Sequence, residues 1–125
     1  MHSAIETVAQ KIWKVVSFLK LDNLKNRIIA IYALNVFDLL ATALWICWFG
    51  LEVEANPLAR WMFANNSIYL FKGAVVALGC YALNKFLPSN PKYMWTSWLL
   101  LIAYGALAIY HCFLATQLIL IFSRI

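Results

Sequence analysis

Asp38 lies near the middle of an apolar run, residues 28–49, that contains no Lys, Arg, Gly or Pro. A carboxylate at that depth costs about 2.5–3.5 kcal/mol on membrane-insertion scales, so a chain that keeps one has a use for it. Asn35 precedes it by three residues and Thr42 follows by four, which puts the three polar groups on one face of a helix. Lys72 sits in the next apolar run, about one and a half turns from its start. Its stem can point inward to Asp38 or outward to Glu54, and the sequence leaves both pairings open. Glu54 stands two residues ahead of Asn56-Pro57, which reads as a helix cap followed by a first helical residue. His111 falls in the third apolar run at about the height of Lys72; a lone histidine there reads as hydrogen-bonding glue, since a haem would need a second ligand from another chain.

Two uses of this set compete. In one, Asp38, Lys72 and Glu54 form an ionic and hydrogen-bond network that fixes the register of the helices, each polar contact contributing about 0.6–2 kcal/mol. In the other, Asp38 exchanges a proton or cation and belongs to a conduction path. Hydrolytic chemistry has no comparable support. No serine can be placed beside a histidine and a carboxylate, and there is no H-E-x-x-H, no Gly-rich phosphate loop and no second mid-span aspartate. No catalytic residue, cofactor or metal is assigned; an enzyme would require Glu54, Asn56 and His111 to meet at the outer surface. Cys47, Cys80 and Cys112 lack C-x-x-C spacing and read as small apolar side chains.

The elements that position these residues are membrane helices. Of 125 residues, 65% are hydrophobic and 12% charged, against roughly 45–50% and about 25% in soluble domains. Mean hydropathy is +0.78. That excludes a disordered chain, a secreted disulfide scaffold and a nucleic-acid binder. The expected fold is an all-α integral membrane protein, one domain of three transmembrane helices preceded by an amphipathic interfacial helix. That first helix covers residues 3–20, with Ile5, Val8, Ile12, Val15 and Leu19 on one side and Lys11, Lys14 and Lys20 set toward lipid headgroups. Span 1 covers 28–49, an outer loop with a short helix 51–66, span 2 67–86 and span 3 93–122. Span 3 is roughly 43 Å long, more than a hydrocarbon core of about 30 Å, so it must tilt or protrude. On span 2, Gly73, Ala77 and Cys80 make a stripe of small residues suited to close helix contact.

The net charge of +5 acts as a topology signal. Lys11, Lys14, Lys20, Lys25, Arg27, Lys85 and Lys92 fall on one side, while the other carries only Arg60 and Arg124. The positive-inside rule then implies a multi-pass protein of the cytoplasmic membrane, with the N-terminus cytoplasmic and the C-terminus outside. Trp45, Trp48 and Trp61 would lie at the outer interface and Trp95 and Trp98 at the inner one.

The order D-x-x-x-T at Asp38–Thr42, E-x-N-P at Glu54–Pro57 and Lys72 one span later resembles a family of small prokaryotic membrane proteins of uncharacterised function. The resemblance covers residues 35–86, and the E-A-N-P tetrapeptide is its most specific part. It implies that Asp38, Thr42, Glu54, Asn56, Pro57 and Lys72 act as one constellation, and it carries no activity over. Taken together, the sequence points to a non-catalytic small subunit or scaffold in a membrane complex, its partners being the bilayer and other membrane chains or itself. The alternatives are a homo-oligomeric proton or cation channel or carrier using Asp38 and Lys72, and a phage holin-like protein. The holin reading ranks last because the basic cluster is N-terminal.

Overall fold

A computed structural model describes residues 2–125, and among these the regular structure is entirely helical. Helix α1 covers His2–Phe18 and α2 Leu24–Phe49. A single 3₁₀ turn, Leu51–Val53, leads to the short helix α3, Pro57–Ala64. Next come α4 (Ser67–Leu70), a π-helical stretch (Phe71–Val75) and α5 (Val76–Ser89) in one continuous rod. A second 3₁₀ turn, Pro91–Tyr93, opens α6, Trp95–Ser123. Three segments are long and apolar enough to cross a membrane: Leu24–Phe49, Ser67–Ser89 and Pro91–Ser123.

Local chemistry sets the ends of these helices. The Asn23 side chain accepts the Lys25 N–H at 2.9 Å and starts α2 a turn before the apolar run begins. Gly50 ends it with φ +92°, a conformation that side chains rarely adopt, and a Cβ there would come within 2.6 Å of Glu52 Oε2. Asn56 Oδ1 accepts from Leu58 N–H at 3.0 Å ahead of Pro57, which starts α3. Asn66, left-handed at φ 62°, turns the chain into α4. The rod then continues through Pro88 to Ser89, beyond the expected end of span 2 at residue 86. A proline in the last turn removes only one hydrogen bond, so the helix tolerates it. The Asn90 side chain closes this end by donating to the Phe86 carbonyl at 3.0 Å.

Span α2 is central. It packs against both α5 and α6, whereas those two scarcely touch beyond the turn that joins them. The buried apolar core is small. Ile28, Ile31 and Cys80 form one cluster, and Leu39, Met62 and Ile68 form another that ties α3 and α4 to α2. Large apolar side chains such as Leu40, Leu78 and Ile109 point outward instead. In a bilayer, burying such residues against one another gains little over leaving them in lipid, so helix association rests on close packing and polar contacts. Helix α1 has no buried residue.

Candidate functional site

Asp38 is the node where the three spans meet. Its side chain is 10% exposed, and Lys72 Nζ, from the π-helical stretch, donates to Oδ2. His111 Nε2, from α6, lies 2.8 Å from Oδ1. The other ring nitrogen of His111 fixes its protonation. Trp45 Nε1 is 3.0 Å from Nδ1, and an indole nitrogen can only donate. Nδ1 is therefore an acceptor, the ring proton sits on Nε2, and His111 is neutral while it donates to Asp38. Charge within the node balances between one carboxylate and one ammonium, and each carboxylate oxygen has a donor.

The π-helical stretch brings Lys72 to this position. π-helical turns are rare and collect at functional sites. Here two consecutive carbonyls, those of Lys72 and Gly73, accept side-chain bonds from α2: Asn35 Nδ2 at 3.1 Å and Tyr32 Oη at 2.9 Å. Tyr32 and Asn35 are three residues apart on one helix face, which suits them to a pair of adjacent carbonyls. Asn35 is fully buried, and its Oδ1 lies 3.4 Å from Tyr104 Oη of α6.

Above the node opens a cavity of 730 Å³ walled by α2, α6 and the segment between spans. Asp38, Lys72 and His111 form its polar end, and Thr42, Glu54, Asn56 and Gln117 also line it. The rest is apolar and aromatic, with Trp45, Phe49, Phe63 and Tyr110 prominent. The far part of α6 supplies Leu118 and Ile121, so the excess length of the third span forms a wall. Glu54 has a capping role: Oε1 accepts the Asn56 N–H at 3.0 Å. Its carbonyl accepts from the Arg60 guanidinium at 3.1 and 2.7 Å. Of the two pairings open to Lys72, the structure has the one with Asp38, and Glu54 stands apart across the cavity as a member of its lining. Pro57 is exposed at the start of α3.

The small-residue stripe is divided. Cys80 is buried against α2, Ala77 is exposed, and a Cβ on Gly73 would meet nothing within 4 Å. Lys11, Lys14 and Lys20 are exposed. Among the described residues no group of three His, Cys, Asp or Glu side chains is placed to hold a metal ion.

A second polar cluster, at the opposite end of the bundle, carries no signature beyond its charge in the sequence. Arg27 is 3% exposed. Its Nε donates to Ser97 Oγ at 3.0 Å, its Nη1 to the Leu21 and Asp22 carbonyls at 2.9 Å each, and its guanidinium lies 4.5 Å from the centre of the Trp98 ring. Trp45, Tyr32 and Ser97 are likewise polar contacts that spacing alone did not single out; an N–H or O–H on an aromatic ring inside an apolar run is the signal that could have found the first two.

No curated protein and no solved structure matches this chain. Residues 29–121, which take in the whole Asp38 node and its cavity, match the family described as Domain of unknown function (DUF5658), and the chain belongs to that family.

Proposed function

We propose that this protein is a small non-catalytic subunit or scaffold of the cytoplasmic membrane that works in a complex. One observation carries this reading: a single buried carboxylate takes a donor from each of the other two spans, so the polar residues of the bundle are engaged in joining helices. Seven of its nine Lys and Arg residues outside the spanning cores, the count running from Lys11 to Arg124, favour a cytoplasmic N-terminus. Helix α1 then lies along the cytoplasmic face, its apolar side in the interface and Lys11, Lys14 and Lys20 among anionic headgroups. The test is native mass spectrometry after gentle extraction of tagged protein from its own membrane. Co-purification with other chains at fixed stoichiometry is expected; a lone monomer would count against the reading.

The cavity that reaches the Asp38–Lys72 pair favours a second reading, a homo-oligomeric proton or cation carrier. In that case Asp38→Asn abolishes flux into liposomes per amount of folded protein reconstituted. Undiminished flux in this variant removes Asp38 from any path.

A further inference from the structure

We propose that the cavity above Asp38 is a binding site for an organic monocation, a quaternary or protonated amine carried on an apolar or aromatic body. The proposal does not depend on whether the protein is a scaffold or a carrier. The volume, 730 Å³, lies in the range of small-molecule pockets, and the composition is theirs too: apolar walls with a few polar groups at fixed points.

The sign of the ligand charge follows from the lining. Two carboxylates, Asp38 and Glu54, face one ammonium, Lys72, and that ammonium is bound to Asp38. His111 adds no charge, because Trp45 holds its Nδ1 as an acceptor. Among the described residues no ion pair reaches the Glu54 carboxylate. Arg60, the nearest guanidinium with a contact to that residue, is directed at the Glu54 carbonyl and does not line the space. A cation entering the cavity thus meets one carboxylate that forms no ion pair. Trp45, Phe49, Phe63 and Tyr110 also line the space, and aromatic rings attract cations in a desolvated setting. An anion would have to displace Asp38 from Lys72 and leave a buried carboxylate without its partner.

Two sources supply this chemistry, a free lipophilic amine or the choline or ethanolamine headgroup of a lipid. Both are distinguished by one experiment on the full chain in nanodiscs. The probes are tetraphenylphosphonium and tetraphenylborate, nearly equal in size and opposite in charge, with intrinsic tryptophan fluorescence as the readout. The phosphonium is expected to bind saturably, and Glu54→Gln to weaken it about tenfold, as loss of one partly desolvated charge partner implies. The glutamine keeps an oxygen for the Asn56 N–H, so the loop retains its cap; Phe63→Ala is a second variant that leaves every polar contact in place and should also weaken the phosphonium. Nanodiscs of phosphatidylglycerol alone and of phosphatidylglycerol mixed with phosphatidylcholine separate the sources. Competition by the choline lipid identifies a headgroup; equal affinity in both identifies a free amine. Preference for the borate, or phosphonium affinity unchanged in both Glu54→Gln and Phe63→Ala, overturns the proposal.

Discussion

The two buried polar clusters of this bundle solve the same problem by different chemistry. Near one end, Arg27 is nearly inaccessible and yet bonds to no carboxylate, Asp22 acting on it only through space; it is satisfied by a hydroxyl, two carbonyls and an indole ring. Midway along the same helix, Asp38 is held by an ammonium and an imidazole. A guanidinium spreads its charge over a planar fork with five donors and is weakly hydrated, so neutral acceptors and an aromatic face can replace its water. A carboxylate concentrates its charge on two oxygens and offers no donor, so at mid-depth it needs a cation. Position reinforces the difference. Arg27 lies within a turn of the helix start, beside the connecting turn that offers the Leu21 and Asp22 carbonyls, whereas around Asp38 the backbone groups of α2 are bonded within its helix.

Lys72→Met should expose that difference most strongly. It leaves Asp38 buried with only a neutral imidazole, and removing one partner of a buried pair costs about 3–5 kcal/mol. Unfolding in mixed detergent–lipid micelles would report the loss, and Asp38→Asn combined with Lys72→Gln should restore part of it. A double variant no more stable than Lys72→Met would mean that the pair does not hold the spans together.

Arg27→Ala comes next, at about 2–3 kcal/mol. It removes three hydrogen bonds and a cation–π contact without stranding a charge, and leaves Ser97 Oγ bonded to the Met94 carbonyl at 2.8 Å. Arg27→Lys should recover less than half, because a point charge cannot reproduce a fork that reaches a hydroxyl and two carbonyls at once. Full recovery with lysine would show that charge, and not shape, is what this end requires.

A smaller effect, about 1 kcal/mol, is expected for Trp45→Phe, which removes one donor from His111 and keeps a smaller aromatic ring in its place. Nitrogen NMR of labelled histidine is the more specific measurement. In the parent protein the His111 proton should reside on Nε2, with Nδ1 unprotonated. A proton on Nδ1 in the parent would break the chain from Trp45 through His111 to Asp38 and turn one of its contacts into a repulsion.

The residues that sequence could supply are the ones whose type is improbable where they stand. Asp38 and Lys72 are charged in apolar runs, and their spacing left Lys72 two partners; choosing between these required the axial position of a neighbouring helix, which no local pattern encodes. The existence of three long helices was legible because hydropathy acts on single segments, and the fold agrees with it. The π-helical stretch was not, because Phe71–Val75 contains no proline, insertion or repeat to mark it; its carbonyls are satisfied by Tyr32 and Asn35, which are distant in the chain. In the sequence Arg27 and Trp45 are visible as residues, with the marks of a topology charge and an interfacial ring. Each has a second role that arises only when α6 is laid against α2.

The smallest expected effect concerns the face of span 2 that neither cluster uses. A Cβ at Gly73 meets nothing within 4 Å, so Gly73→Ala should change the stability of the single chain by less than about 0.5 kcal/mol, despite the glycine's place beside the node. Gly73→Leu should be nearly as benign, since its Cβ starts in open space, while the Tyr32 bond is made to the backbone carbonyl and not to a side chain. The same substitution would be severe if a helix of another chain packs there, because close approach of backbones depends on a small residue at the crossing. Comparing monomer unfolding with the mass of the extracted assembly therefore separates two uses of one glycine. A Gly73→Leu chain that unfolds normally and no longer co-purifies with its partner locates the contact on span 2. A chain that unfolds normally and still assembles leaves Gly73 as a position where only the backbone matters, and moves the search for the contact to the cleft between α5 and α6, where Gly79 and Ala82 line a separate apolar groove.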